Sequence, residues 1–307
     1  MSAIVEVTHL TKSYGGKRGV ADVSFDVSQG DVFGFLGPNG AGKTTTIRLL
    51  MGLLHPDSGV ARIAGLDCWA ESVAVKRLVG YAPGEPALDP DLTGGQILEY
   101  FGHLRGGVDQ AHLKDLIRRF DLDIRQRFRH YSTGNKRKVA LIQAFMHRPR
   151  LLILDEPTNG LDPLNQQEFA RLVREARDGG ATLLLSSHVL GEVEQLCTTV
   201  GIIRDGRLVR SGDVAGVKDI KHYEITIAFG QAVPSSAFAD LPGVAHVEAL
   251  GESVLRIALQ GAPDAIVKAA AAYPVVSLVT HEPSLEDIFL RYYSADGSMP
   301  REAAGVA

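Results

Sequence analysis

Eight consecutive residues, Gly37, Pro38, Asn39, Gly40, Ala41, Gly42, Lys43 and Thr44, constrain this chain more than any other feature. They follow an apolar run at 32–36 that reads as a strand and precede a helical pattern over 44–54, the setting of a phosphate-binding loop. Glycines at 37, 40 and 42 let the backbone wrap closely around a polyphosphate. Its charge is met by converging amides, the positive end of the following helix and the Lys43 ammonium. Thr44 stands where its hydroxyl would ligate magnesium. The chemistry implied is the binding of a nucleoside triphosphate.

The rest of the composition narrows the class. A chain of 307 residues is long enough for a large core and a smaller second domain. A formal net charge of -4 lacks the basic excess of a dedicated nucleic-acid binder. Cys68 and Cys197, far apart in sequence, fit neither a zinc pattern nor a disulfide framework and read as reduced, cytosolic thiols. Residues 1–14 lack the charged-then-apolar order of a secretory signal. The stretch 269–279 is interrupted by Tyr273 and Pro274 and falls well short of the ~20 residues that span a bilayer. Any membrane role is therefore expected to run through a partner.

Alternating apolar residues over 4–36, with turns at Gly15, Gly16, Gln29 and Gly30, read as an antiparallel strand system leading into the loop. Short strands are expected at 62–65 and 78–82. Between 93 and 128 the period becomes helical, with Ile97, Tyr100, Phe101 and Leu104 on one stripe and Leu113, Leu116, Ile117 and Phe120 on another, which reads as a helical insertion. Apolar runs at 151–154, 182–186 and 200–203, separated by helical segments, predict a buried parallel sheet. Glycines at 206, 212 and 216 suggest a boundary between 206 and 218. Beyond it, patterns at 223–229, 235–241, 245–250, 253–259, 264–273 and 275–280 give the order βαββαβ of a ferredoxin-like sandwich. Ser284, Leu285, Glu286 and Asp287 have the form of a capping box that starts a helix to Tyr293, and residues 294–307 read as a frayed tail.

A second constellation lies at 151–158, where an apolar strand delivers Asp155 and Glu156 at its carboxyl end, the edge at which open α/β sheets bind ligands. Asp155 suits a magnesium ligand, direct or through water. Glu156, one residue on, suits the polarisation of a water that attacks the γ-phosphate. His188 follows the strand at 182–186 and reaches the same edge, as a γ-phosphate sensor or as a helix cap.

With Tyr131, Ser132, Thr133, Gly134 and Asn135 the pattern becomes specific. Tyr14, the loop at 37–45, residues 132–135, the strand 151–156, Gly160, Leu161 and Asp162, and Ser187 with His188 follow one another as in the nucleotide-binding subunit of an ABC transporter, which the chain resembles over about its first 215 residues. The resemblance implies an α/β P-loop NTPase cassette at 1–216, with a parallel core sheet, an antiparallel β subdomain and a helical insertion at about 93–148. A ferredoxin-like α+β domain at 217–293 and the tail would follow. It implies ATP and Mg2+ as ligands. Tyr14 would stack on adenine, or else be a core tyrosine at a strand end. Lys43, Thr44 and Thr45 would contact phosphate and magnesium. Ser132, Thr133, Gly134 and Asn135 would act across a head-to-tail dimer on the ATP of the other subunit, Asp162 would contact the opposing cassette, and Glu156 and His188 would serve catalysis.

Two departures stand out. Where the family usually carries glutamine, residues 81–86 place Gly84, which cannot ligate magnesium; either Glu85 substitutes or the loop serves only to couple conformation to a membrane subunit. In the signature, Thr133 and Asn135 replace the usual glycine and glutamine, while the hydroxyl and second glycine persist. Both variations, with the ending at 282–293, resemble the ATPases of bacterial drug and antibiotic exporters whose permease is a separate chain. The implied partners are that permease and a second copy or paralogous cassette, with no nucleic acid, at the cytoplasmic face of the membrane. A nutrient importer is the alternative. A soluble ABC ATPase of ribosomes or DNA is disfavoured by the single phosphate loop, the lack of long heptads and the lack of a basic patch.

Overall fold

Consecutive apolar residues without polar alternation demand strands covered on both faces. The computed structural model describes residues 3–15, 17–217 and 222–281. In it Val32–Leu36, Leu151–Asp155 and Thr182–Ser187 are buried along their whole length. They lie in a six-stranded sheet ordered Arg207–Asp213, Thr199–Arg204, Val32–Leu36, Thr182–Ser187, Leu151–Asp155, Val79–Ala82. Its pairs are parallel apart from the antiparallel edge strand Arg207–Asp213. Because side chains alternate across a strand, Leu152, Leu154, Leu183 and Leu185 enter one core while Leu151, Ile153 and Leu184 enter the other.

A four-stranded antiparallel sheet, ordered Lys17–Ser28, Ala3–Tyr14, Ser58–Ile63, Leu66–Asp67, packs beside it. Phe25 of this sheet stacks on Phe33 and Phe35 at centroid distances of 5.1 and 5.4 Å, which ties the two sheets through aromatic contact. Truncating a ring of this kind to alanine costs about 3–5 kcal/mol.

Side-chain oxygens start the helices that carry the later motifs. Gly94–Leu104 begins at a reciprocal capping box of Thr93 and Gln96, Gln110–Arg119 at Asp109, Thr133–Phe145 at Ser132 and Pro163–Asp178 at Asp162.

Several expectations need correction. The helix after the loop is Lys43–Leu50 rather than 44–54, because Gly52 with φ of 57° turns the chain in the left-handed region. The strand expected at 62–65 is Ser58–Ile63, and Gly65 turns with φ of 80°. Tyr100 and Leu104 are not part of a buried stripe: they are 57% and 62% exposed, and Ile97 and Leu98 fill the core instead. Helix Thr133–Phe145 buries most of its residues in the core that also holds Ile97, Leu116, Leu152 and Leu183. Gly206 turns a hairpin of the main sheet, and the chain packs as two compact units, Met1–Val214 and Ala215–Ala307.

In the second unit the strands His222–Phe229, Val244–Ala249, Val254–Gln260 and Val275–His281 form an antiparallel sheet. The Val254–Gln260 and His222–Phe229 strands lie inside it and the other two at its edges. Helices Ser236–Ala239 and Asp264–Ala270 interrupt the strands in the order βαββαβ. Ile225, Ile227, Leu255, Ile257, Phe238 and Ile266 make a separate core. The helix expected at 284–293, the tail and Gly16 lie outside the described residues.

His147, at the end of the Thr133–Phe145 segment, has its pKa pushed down to about 4, first by burial and then by the charge of Arg105. It is held neutral in the fold while an unfolded imidazole titrates near about 6.5, so the fold loses stability as pH falls from about 6.5 towards 4. His147→Met, which cannot take up a proton, is expected to flatten the dependence of Tm on pH between 7 and 5 (about 2 pH units) relative to the parent. Parallel Tm profiles for the two chains would contradict this.

Candidate functional site

The loop at 37–44 is shaped by what surrounds it. A Cβ at Gly37 would stand 2.5 Å from the Ile203 carbonyl oxygen, and Gly42, with φ of 112°, packs against Val20. Only glycine fits both constraints at Gly42. The amide of Gly206 donates to Ala41 O at 2.9 Å, so the hairpin of the main sheet braces the loop from outside. Ala41 is buried, Pro38 is half-buried, and Asn39 and Gly40 face solvent. Thr44 and Thr45 are half-buried in the first helical turn, beside amides that have no partner within the helix.

Lys43 is 5% exposed, and its ammonium is committed three ways: to Gly37 O at 2.5 Å, to Pro38 O at 3.3 Å and to Glu156 Oε1 at 3.0 Å. The other oxygen of Glu156 meets His188 Nδ1 at 2.5 Å. Three residues from three separate segments thus converge at the carboxyl edge of the sheet. Glu156 holds a left-handed backbone, φ of 49°, which turns its side chain off the strand direction. Its amide is secured by a donation to Ser186 Oγ at 3.0 Å. Such a conformation costs a non-glycine residue about 1–2 kcal/mol and persists only where neighbours fix it.

Asp155 is fully buried at the strand end. Its Oδ1 accepts from Ser186 Oγ at 2.6 Å, whereas Oδ2 has no hydrogen-bond partner among the described residues. A buried carboxylate oxygen left over by the protein is what a hard cation takes, so Asp155 fits a magnesium ligand, with the Thr44 hydroxyl as the second candidate. Gly84 lies against that free oxygen: a Cβ at 84 would stand 3.1 Å from Asp155 Oδ2. Glu85 is exposed.

The signature residues occupy another place. Ser132 caps its helix by accepting from the Asn135 amide at 3.2 Å. A Cβ at Gly134 would stand 2.7 Å from Gly160 O, and Thr133 packs on Gly160, so the signature backs onto the 159–162 loop of its own chain. Ser132 and Thr133 are exposed. Tyr131 is buried and its hydroxyl donates to Asp123 O at 2.6 Å, tying the signature to the 94–128 segment. Asp162 accepts from the Asn165 amide and side chain at 3.0 and 2.6 Å, and these bonds hold its carboxyl below the usual range. Tyr14, 42% exposed, ends the Ala3–Tyr14 strand beside Gly19, whose carbonyl oxygen lies near Gly42.

Three contributors escape a reading of the sequence. Ser186 bridges both carboxylate residues from the adjacent strand; its signal is a hydroxyl near the end of an otherwise apolar run. Arg137, 3% exposed, donates to the carbonyls of Pro83 and Gly84 and, at longer range, of Asn159 and Asp155. Its signal is a cation on a helix face that is otherwise apolar. Glu192 accepts from Thr158 Oγ1 and from Ser187 Oγ and so steadies the segment before His188.

The chain is similar to known proteins along most of its length. The profile of the family described as ABC transporter matches residues 20–159. The bacitracin transport ATP-binding protein of Bacillus licheniformis is 39% identical over 68% of this chain and 69% of that protein. A daunorubicin resistance ATP-binding protein of Streptomyces coeruleorubidus is 34% identical over 98% of both chains. A solved ATP-binding subunit of an ABC transporter superposes with a TM-score of 0.65 at 32% identity, covering 70% of this chain and 92% of that one. The chain belongs to the ATP-binding proteins of ABC transporters. It is an ATPase of the cassette fold, and the nucleotide it binds is ATP.

Gly84→Ala tests the placement of the free Asp155 oxygen. A methyl group 3.1 Å from Oδ2 crowds the position a cation would take. The Mg2+ concentration that half-saturates nucleotide binding is expected to rise by roughly tenfold, with affinity for metal-free nucleotide unchanged. An unaltered Mg2+ titration would show that Asp155 Oδ2 does not face the metal.

Proposed function

We propose that this chain powers the export of drugs, antibiotics or other hydrophobic compounds through a separate permease, by binding and hydrolysing ATP between two head-to-tail copies. The observation that carries the reading is the convergence of Lys43, Glu156 and His188 at the phosphate loop. The names of the bacitracin and daunorubicin relatives support export over nutrient uptake. No helix among the described residues is long and apolar enough to cross a membrane, so the membrane passage is assigned to a partner chain. Tyr100 and Leu104, exposed on Gly94–Leu104, offer an apolar surface for that partner.

The geometry supports an order of events. The Lys43 ammonium is met by two loop carbonyls and by Glu156. Incoming phosphate oxygens replace these acceptors, and Glu156 Oε1 is released to face the nucleotide. Glu156 then polarises the attacking water, and His188, bonded to its other oxygen, fixes its direction and reaches the γ-phosphate. Thr44 and Asp155 would hold magnesium, which when bound supplies positive charge to the phosphate oxygens. Ser132 and Thr133, exposed at the helix N-terminus, complete the site of the other copy together with Gly134 and Asn135, with Asp162 as the loop that meets it. Tyr14 stacks on the adenine, exposed at the side nearest Gly42. Closure would move the 94–128 segment and the 83–86 loop and so switch the permease at the cytoplasmic face. The second unit, with its own core, is assigned as a ferredoxin-like accessory domain.

Replacing Glu156 by Gln removes the water-polarising charge while keeping the side chain's size and an amide oxygen that can accept from Lys43. Hydrolysis is expected to slow by roughly 100-fold or more, ATP affinity to be kept or increased, and an ATP-bound dimer to accumulate. Lys43→Ala should instead weaken ATP binding directly. Parental turnover in Glu156→Gln, measured by phosphate release, would remove Glu156 from the catalytic role.

A further inference from the structure

We propose that Arg137 is the positioning residue that couples the 83–86 loop to the catalytic strand end, in the absence of any side chain at position 84. The inference rests on the ATPase reading of the site and names a residue that acts on that site through the backbone.

The guanidinium lies at the centre of four carbonyls from three segments. Its Nη1 donates to Pro83 O at 2.6 Å and to Asp155 O at 3.5 Å, its Nη2 to Gly84 O, and its Nε to Asn159 O at 3.4 Å. A planar fork with five donors can serve several acceptors at once, which a lysine ammonium cannot do with the same reach. The neighbouring basic residue Lys136 is used otherwise, over the Phe128 ring at 5.4 Å. Arg137 sits one turn into the helix that Ser132 caps, so the outward-facing signature, the 159–162 loop, the Asp155 strand end and the 83–86 loop share one buried cation.

Glycine at 84 gives this contact its importance. The loop approaches Asp155 only by backbone, with the 84 position against Oδ2, and no side chain there can report on the carboxylate. Beyond the pairing of Ala82 with Leu154, bonds from Arg137 to the Pro83 and Gly84 carbonyls link the loop to the strand end. The charges of Asp155, Glu156 and Glu85 act on the guanidinium, so a rearrangement of carboxylates when nucleotide arrives is felt at the same cation that holds the loop.

The test uses the full chain with a nitroxide label at the exposed position 87, introduced as Ala87→Cys. Burial raises both native thiols, Cys68 to about 12 and Cys197 further, and leaves them poorly reactive. In the otherwise parental chain the label should be ordered and its line shape should change with Mg-ATP. In Arg137→Gln it should be mobile in both states and insensitive to nucleotide, kcat should fall about tenfold, and KM for ATP should stay within about twofold. Arg137→Lys, which keeps the charge, guards against a simple loss of folding and should show an intermediate line shape and at least about a third of the lost kcat recovered. A parental response of the label in Arg137→Gln, or in Arg137→Lys where the glutamine variant does not fold, would overturn the inference. Failure of the parental chain to bind ATP at all would instead overturn the ATPase reading on which it rests.

Discussion

The contact on which the rest of the site depends is the 3.0 Å pair between Lys43 and Glu156. An ammonium as buried as this one must be compensated, and the cradle at 37–38 offers carbonyls but no charge. Glu156 supplies it, and is itself held from the other side by His188. Removing one member of a buried pair costs about 3–5 kcal/mol because the other is stranded, while the intact pair adds little net stability. In the proposed function the arrangement serves exchange more than stability: a polyphosphate that takes over Lys43 would free the carboxylate assigned to the next step.

That pair exists because the sheet puts its ends together. Val32–Leu36, Leu151–Asp155 and Thr182–Ser187 run parallel and adjacent, with Leu36 level with Ser187 and Asp155 level with Ser186. The loop, the two carboxylates and His188 each leave a strand at the same edge. Two apolar cores, one on each face, fix the strands, and Ser186 locks the neighbouring strand ends by bonding both Asp155 and the Glu156 amide. A rigid sheet below carries the loops above it and positions their side chains at one edge.

Much of this was legible in the sequence because it is locally encoded. The glycines at 37, 40 and 42 and the Asp155 and Glu156 pair after an apolar run each act within a few residues of themselves. What escaped acts at long range. Ser186 and Asp155 are 31 residues apart, and Arg137 reaches a carbonyl 54 residues away; neither position carries a motif of its own. The Tyr100 and Leu104 stripe misled for another reason. Periodicity marks apolar positions on a helix but does not say whether the surface facing them belongs to the same chain, and here Ile97 and Leu98 are the ones that meet the core. The helix end at Leu50 was set by a left-handed Gly52 inside a pattern that stayed apolar to Leu54.

Completion of the site by a second copy is tested most directly by mixing two inactive chains, Lys43→Ala and Ser132→Arg. Each alone has no intact site as a dimer. In a head-to-tail mixed dimer the Ser132→Arg chain lends its unaltered loop and the Lys43→Ala chain its unaltered signature, which rebuilds one complete site of the two. An equimolar mixture is expected to regain roughly a quarter of parental ATP hydrolysis, the share of intact sites under random pairing. A mixture no more active than either chain alone would contradict a site built from two copies.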